Sequence, residues 1–167
     1  MRNMKILLSL AVVLLMSVSL LAGGCAGSGS GSGSVNIAND QASPADLETF
    51  IDSQKGKVVV AVLFNMTAPD CTKALQHLAE MQGNYPADKV AFVGVSLDAD
   101  KDALRAYLGE NGVYFPVLMI QAFADLGDGV PIVSLVDKEG NTYTTYEGLA
   151  EIQTMGADVD YLVSQGQ

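Results

Sequence analysis

The hydrophobic and polar positions of this chain divide much of it into short apolar runs and longer amphipathic segments. Val58 to Phe64 is wholly apolar and rich in β-branched residues, which is typical of a central strand buried on both faces. Val90 to Leu97 has the same character. Leu75, Leu78 and Met81 recur at helical spacing between the two runs, so the sequence predicts a helix that joins two parallel strands.

The remaining segments predict further helices and strands around this unit. Before it, Ser43, Pro44 and Asp46 supply an N-cap, a first helical residue and a first-turn acid, which are helix-start signals. After it, the pattern predicts a helix capped by Asp100, a short apolar segment at 115–120, a turn at 127–131, a hairpin of strands 132–136 and 141–146, and a helix at about 154–164. The predicted fold class is therefore α/β, with a mixed central sheet and helices on both faces.

The first 24 residues have the pattern of a bacterial secretory signal. Arg2 and Lys5 form a short basic region, and residues 6–22 are an apolar run that is short for a membrane span. Small residues directly before Cys25 resemble the lipobox of bacterial lipoproteins, which implies that Cys25 is acylated and becomes the new N-terminus. An ordinary cleaved signal and an uncleaved anchor helix are the alternatives.

A Gly/Ser repeat follows Cys25 and predicts a flexible tether, because it offers no side chains that could pack. We assign residues 25–42 to the lipidated cysteine and the tether, and residues 43–167 to one folded domain. The predicted location is the extracytoplasmic side of the cell envelope, which is periplasmic in a cell with two membranes. The lipid on Cys25 is the predicted contact with the membrane.

The charge of the chain excludes one class of partner. Its 167 residues include nine basic and nineteen acidic side chains. Arg2 and Lys5 belong to the predicted signal. The remainder of the chain has seven basic and nineteen acidic side chains, which gives it a formal charge of −12. Such a surface repels phosphate backbones, and no nucleic-acid partner is expected.

The junction between the first predicted strand and its helix is the candidate reactive site. Cys71 falls in the first helical turn, where backbone N–H groups and the helix dipole favour a thiolate. Asp70 beside it has the opposite effect. His77, the only histidine, lies six residues further on, so a catalytic Cys–His pair is not expected. One histidine and one free cysteine cannot form a structural zinc site, and neither a metal nor an organic cofactor is implied.

Three segments resemble the thioredoxin fold and, within it, the membrane-anchored oxidoreductases of the TlpA/ResA type. Leu63 to Lys73 stands where that family has Phe-Trp-Ala-Thr-Trp-Cys-Pro-x-Cys-Arg-Lys. Val93 to Asp98 matches its second strand, and Gly129 to Gly140 matches its Gly-Ile-Pro-Thr-Thr-Phe-Leu-Ile-Asp-x-x-Gly. The resemblance implies thiol–disulfide exchange with a protein or small-molecule partner. It also implies a cis peptide bond before Pro131, packed against Cys71.

The chain departs from this family at the position of the attacking thiol. Ala68 replaces that cysteine, and Cys71 falls on the second, more buried cysteine of the family motif. An intramolecular disulfide at the site is therefore excluded, and Cys71 is the only candidate catalytic residue. The candidate substrate-binding residues around it are Thr67, Ala68, Pro69, Asp70, Val130 and Pro131.

Three functions stay open at this point. Cys71 could form a mixed disulfide with a partner, since a dithiol cycle needs a second thiol from elsewhere. The domain could instead be a catalytically silent binding module, because buried cysteines are often inert and a fold alone confers no activity. The sequence from Ala68 to Thr72 is also similar to the Thr-Pro-Gly-Cys-Thr of bacterioferritin-comigratory peroxiredoxins. Ala68 lacks the threonine hydroxyl of that motif, however, and Arg105 lies on another predicted helix.

Overall fold

A computed structural model describes residues 34–165 of the chain as six strands, five α-helices and one 3₁₀ segment. The strands are β1 (Ile37–Asn39), β2 (Val58–Phe64), β3 (Val90–Ser96), β4 (Val117–Met119), β5 (Ile132–Val136) and β6 (Thr142–Glu147). The helices are α1 (Pro44–Ser53), α2 (Pro69–Gln82), α3 (Lys101–Glu110), α4 (Leu149–Ile152) and α5 (Gly156–Ser164), and the 3₁₀ segment is Gln121–Gly129. The strands form one sheet in the order β1-β4-β3-β2-β5-β6.

The predicted α/β class with a mixed sheet is confirmed. Strand β2 pairs with β3 in parallel and with β5 in antiparallel orientation. The parallel register begins with Val58 beside Val90, and the antiparallel one sets Leu63 beside Ile132. The carboxyl end of β2 therefore lies beside the start of β5, and this end of the sheet holds the candidate site.

The N-terminal part of the fold begins earlier than the sequence pattern predicts. The prediction places residues 25–42 in the tether, but Ile37 pairs with Val117 at the edge of the sheet and Ala42 is buried. The backbone N–H of Ala42 also donates to the carbonyl of Met119. A strand of three residues carries too little periodicity to be recognised in a polar sequence.

Two further segments differ from the prediction. The turn expected at 127–131 is the end of the 3₁₀ segment Gln121–Gly129, and α4 (Leu149–Ile152) is a short helix that the pattern does not predict. The last helix, predicted at about 154–164, is confirmed as α5 (Gly156–Ser164). Ile152 at the end of α4 and Met155 at the N-cap of α5 are both fully buried. The predicted helix capping is confirmed at Asp100, whose side chain accepts the N–H groups of Asp102 and Ala103.

The two faces of the sheet are covered differently. Helices α2 to α5 pack on one face, where Val58, Val60, Val62 and Phe64 are at most 1% exposed. We call it the packed face. The other face carries Val59, Ala61 and Leu63 of β2 and is covered by α1 and the 3₁₀ segment; we call it the open face. Helix α1 contains no buried residue, whereas α2 contains five.

The predicted signal at residues 1–24 and the predicted lipidation site Cys25 lie outside the described residues. Among the helices of residues 34–165, none has the length and apolar character needed to cross a membrane.

Candidate functional site

A short loop joins β2 to α2 and is ordered by one side chain. The Oδ1 atom of Asn65 accepts hydrogen bonds from the N–H groups of Thr67, at 3.1 Å, and Ala68, at 2.8 Å. The hydroxyl of Thr67 is also 3.1 Å from this oxygen. Ala68 occupies the N-cap of α2 and makes no side-chain cap, and Asn65 binds the N–H groups of the two residues just before the helix begins at Pro69. The loop is thereby fixed in one conformation.

A second polar group fastens the same loop to β3. The carboxylate of Asp98 accepts the N–H of Met66, at 3.1 Å, and the hydroxyl of Ser96, at 2.8 Å. The amide of Gln121 donates to the backbone carbonyl of Asp98 at 2.6 Å. Asp98 is not among the site residues predicted from the sequence. The signal that could have identified it is the resemblance of Val93 to Asp98 to the second strand of the thioredoxin pattern, because that segment ends at Asp98.

Cys71 is the third residue of α2 and its exposed fraction is 0%. Burial raises the pKa of its thiol above the usual range, and the nearby carboxylates of Asp98 and Asp70 raise it further. A hydrogen bond from the backbone of Asn65 lowers this pKa, but burial is the larger effect. Cys71 is therefore a neutral thiol at physiological pH, and the expectation that its helical position favours a thiolate is not met.

Helix α3 closes the site on the side of α2. The hydroxyl groups of Thr72 and Tyr107 are 2.9 Å apart and share a hydrogen bond. Burial is the largest influence on Tyr107 and raises its pKa, so the phenol stays neutral. This contact holds the first turn of α2 against α3 and contributes to the enclosure of Cys71.

The structure brings the predicted rim residues to one end of the sheet. The peptide bond between Val130 and Pro131 is cis, as the resemblance implies. Pro131 is buried directly before β5, and its carbonyl accepts the N–H of Gly148 at 2.8 Å. Val130 and Ala68 are half-buried and pack against the apolar cluster that contains Cys71. Thr67, Pro69 and Asp70 complete the rim as exposed residues.

Other candidate groups lie apart from Cys71 or lack partners for chemistry. His77 is half-buried, and its Nε2 atom has no hydrogen-bond partner within residues 34–165. Arg105 is exposed on α3. In this described part of the chain, no group of three or more histidine, cysteine or acidic side chains is arranged to hold a metal ion.

Comparison with protein families gives a match over most of the described domain. The AhpC/TSA family matches residues 34–163. None of the curated proteins compared matches the chain significantly.

Comparison with solved structures gives the same fold. A thioredoxin-like superfamily protein is 26% identical, with a TM-score of 0.57 over 78% of this chain and 94% of its own. A thiol-disulfide isomerase from Corynebacterium glutamicum is 21% identical, with a TM-score of 0.59 over 68% and 85% of the two chains. A thiol:disulfide interchange protein of the thioredoxin family from Chlorobium tepidum is 22% identical, with a TM-score of 0.55 over 68% and 84%. The fold is thus thioredoxin-like.

Proposed function

Because this chain belongs to the AhpC/TSA family, we propose that it is an extracytoplasmic, lipid-anchored protein of thioredoxin-like fold that binds an extended polypeptide segment. The binding surface is the rim formed by the loop from Thr67 to Asp70 and by Val130 and Pro131. The observation that carries this proposal is the complete burial of Cys71 beneath a rim in which Ala68 replaces the attacking cysteine.

The geometry of the rim supports binding of a polypeptide segment without a reaction at Cys71. Three rim residues are exposed, and two more are half-buried around a fixed loop and a buried proline. A preorganised surface of this kind loses little conformational entropy when a partner binds. An extended segment could lie across it while the neutral thiol of Cys71 stays below the surface.

Thiol–disulfide exchange through Cys71 is the second candidate, and one observation favours it. A hydrogen bond from the backbone of Asn65 lowers the pKa of the thiol and marks a place where a thiolate would be stabilised. After a local opening and loss of its proton, the Cys71 sulfur would attack a partner's disulfide. One partner sulfur would join Cys71 in a mixed disulfide, and the other would leave as a thiolate. A second thiol from outside the chain would then release the partner.

The site does not favour the peroxidase alternative. Ala68 cannot supply the hydroxyl of the peroxiredoxin motif, and Arg105 is exposed on α3. The charged groups that shift the pKa of Cys71 are the two carboxylates of Asp98 and Asp70. Negative charges disfavour the thiolate that attacks a peroxide.

The lipid anchor in this proposal rests on the sequence pattern around Cys25 and on the Gly/Ser tether that follows it. A lipidated Cys25 and a flexible tether would hold the domain close to a membrane while leaving the rim free to meet a partner. Metabolic labelling with a palmitate analogue tests this part. The wild-type chain should be labelled and the Cys25→Ala variant should not, and equal labelling of both would contradict the anchor.

Alkylation of Cys71 by iodoacetamide separates the binding module from the exchange enzyme. We expect slow labelling of the Cys71 peptide in the native protein at pH 7 and fast labelling in urea, measured by mass spectrometry. Rapid native labelling, or a stable mixed disulfide with oxidised glutathione at pH 7, would contradict the silent module and support exchange.

Binding itself is tested with an uncharged, thiol-free ten-residue peptide of alternating valine and threonine. Its fluorescence anisotropy should rise with the full-length protein. The Val130→Asp variant should weaken the interaction, because it places a charge in the rim. Val163→Asp is the matched control, since Val163 is a half-buried valine of α5 outside the rim. Equal binding by both variants would contradict the assigned surface.

A further inference from the structure

The open face of the sheet contains a cavity of about 310 Å³ that the candidate site does not use. Leu47 and Ile51 of α1 form one wall, and Phe123 and Leu126 of the 3₁₀ segment form another. Leu126 is 47% exposed. The cavity is therefore a partly open pocket between two loosely covering elements and the sheet.

The floor of this cavity includes two small residues on neighbouring strands, Ala61 and Ser134. Ala61 of β2 pairs with Ser134 of β5, so the two side chains lie side by side on the open face. Both side chains are short, so they fill little of the space beneath α1. On the packed face, the neighbouring β2 residues Val60 and Val62 are fully covered. The cavity thus follows from the sequence of the floor and from the shallow packing of α1.

The lining indicates what kind of molecule fits. Most of it is aliphatic or aromatic, and it includes the hydroxyl-bearing side chains of Ser134 and Thr142. The Ser134 hydroxyl also lies 3.2 Å from that of Thr145. Apolar walls with a few polar groups are typical of sites for small molecules.

The volume of the cavity and the lack of charge in its lining restrict the class of ligand that can bind. At about 30 Å³ for each water-sized group, the cavity holds roughly ten such groups, which is one short alkyl chain. The lining contains no charged side chain, and the chain as a whole is acidic. A carboxylate or phosphate would lose its hydration there without gaining a partner charge. Hydroxyl groups can instead pair with a neutral alcohol, ester or carbonyl.

We propose that this cavity is a binding site for a small, uncharged, single-chain amphiphile. The alkyl chain lies between α1 and the 3₁₀ segment over Ala61, and the neutral polar group is hydrogen-bonded at Ser134 or Thr142. This site is on the opposite face of the sheet from Cys71. It does not depend on the thiol or on the rim described above.

Photolabelling of the full-length protein with 3-azioctanol tests the proposal. The labelled peptides, identified by mass spectrometry, should come from β2, α1 and the 3₁₀ segment. Excess 1-octanol should suppress this labelling, whereas octanoate at pH 7 should need at least roughly tenfold more to do so. Labelling spread evenly over the chain, or equal competition by octanoate, would overturn the proposal.

Two variants locate the site. Ala61→Leu fills the floor and should reduce cavity labelling roughly tenfold or more. Ala106→Leu is the control, since it makes the same change on the exposed side of α3 and should label like the wild type. Leu126→Glu changes an exposed residue at the mouth and should also reduce labelling, even if Ala61→Leu fails to fold. Unchanged labelling in the Leu126→Glu variant would overturn the site. The proposal would also be overturned if labelling disappeared only when two copies of the protein formed a dimer through the open face.

Discussion

The two faces of the central sheet are made from alternating residues of the same strands, yet they are packed to different degrees. On the packed face, α2 contributes five buried residues, among them Cys71. On the open face, α1 contributes none and a cavity of about 310 Å³ remains. The only free thiol of the described region therefore lies on the close-packed face, where displacing side chains costs the most free energy. The space for a ligand lies on the loosely covered face, where displacing them costs the least. Exposure of Cys71 needs local opening of the packed face, while entry to the cavity needs little change.

Shortening one leucine on each face should give the largest difference. Leu135 is fully buried on the packed face, whereas Leu63 is half-buried beside the cavity. We expect Leu135→Ala to lower the free energy of unfolding by about 3 kcal/mol, because it leaves a cavity in a close-packed core. Leu63→Ala should cost about 1 kcal/mol, since its side chain is already partly in contact with solvent. Urea unfolding measures both, and equal losses would contradict the distinction between the faces.

Adding carbon atoms should have opposite consequences on the two faces. A Cβ atom at Gly94 would lie 2.9 Å from Cγ2 of Val117 and 3.1 Å from Cε1 of Phe64. We therefore expect Gly94→Ala to lower the free energy of unfolding by about 1–3 kcal/mol. Ala61→Val, which adds two methyl groups beside the cavity, should leave it unchanged or raise it. A loss of stability in Ala61→Val as large as that in Gly94→Ala would show that the open face has no spare room.

The thiol should make stability depend on pH in the alkaline range. Burial raises the pKa of Cys71 in the folded protein, so above its usual value of about 8.5 the unfolded chain loses the proton first. The contribution of this group is complete below pH 8 and is lost as the pH rises toward the folded pKa. The melting temperature of the wild type should fall between pH 8 and 9.5 relative to that of Cys71→Ala. Burial raises the pKa of Tyr85 to about 12, so the ionisation of Tyr85 falls at higher pH than this window. Parallel pH profiles of the two proteins would indicate that the thiol is not shielded.

The smallest expected effect concerns the charge at the rim. Asp70 raises the pKa of Cys71, though less than burial does. Asp70→Asn should therefore increase the native alkylation rate of Cys71 at pH 8 by less than about fivefold, because an exposed charge acts weakly through water. Asp102→Asn is the matched control, since Asp102 is also the exposed second residue of a helix. An increase of a hundredfold in Asp70→Asn would mean that charge, rather than burial, controls the thiol.

The sequence was sufficient for the elements with strong local signals. The apolar run of β2, the Ser43-Pro44 start of α1 and the Asp100 cap of α3 each have a local physical cause, and each is found where predicted. Strand β1 and the 3₁₀ segment depend on partners far along the chain, so their own sequences do not reveal them. The cavity also escaped prediction, because it arises from small residues on separate strands that only the pairing register aligns.

The candidate site divides in the same way. The motif around Cys71 placed the thiol in the first turn of α2, and the family resemblance implied the cis bond before Pro131. The protonation state of Cys71 could not be read from the motif, because the helix position favours a thiolate and burial opposes it. Only the three-dimensional packing decides between these effects, and it favours the neutral thiol.

The central claim is that Ala68 occupies the position of a missing surface thiol above the buried Cys71. The most direct test is to oxidise the Ala68→Cys variant with a mild excess of oxidised glutathione and map its disulfides by mass spectrometry. Cysteines three residues apart at a helix start are well placed to form a reducible bond, so the account predicts an internal disulfide between residues 68 and 71. If the variant forms only mixed disulfides with glutathione at residue 68, the assignment of Ala68 to that position is wrong.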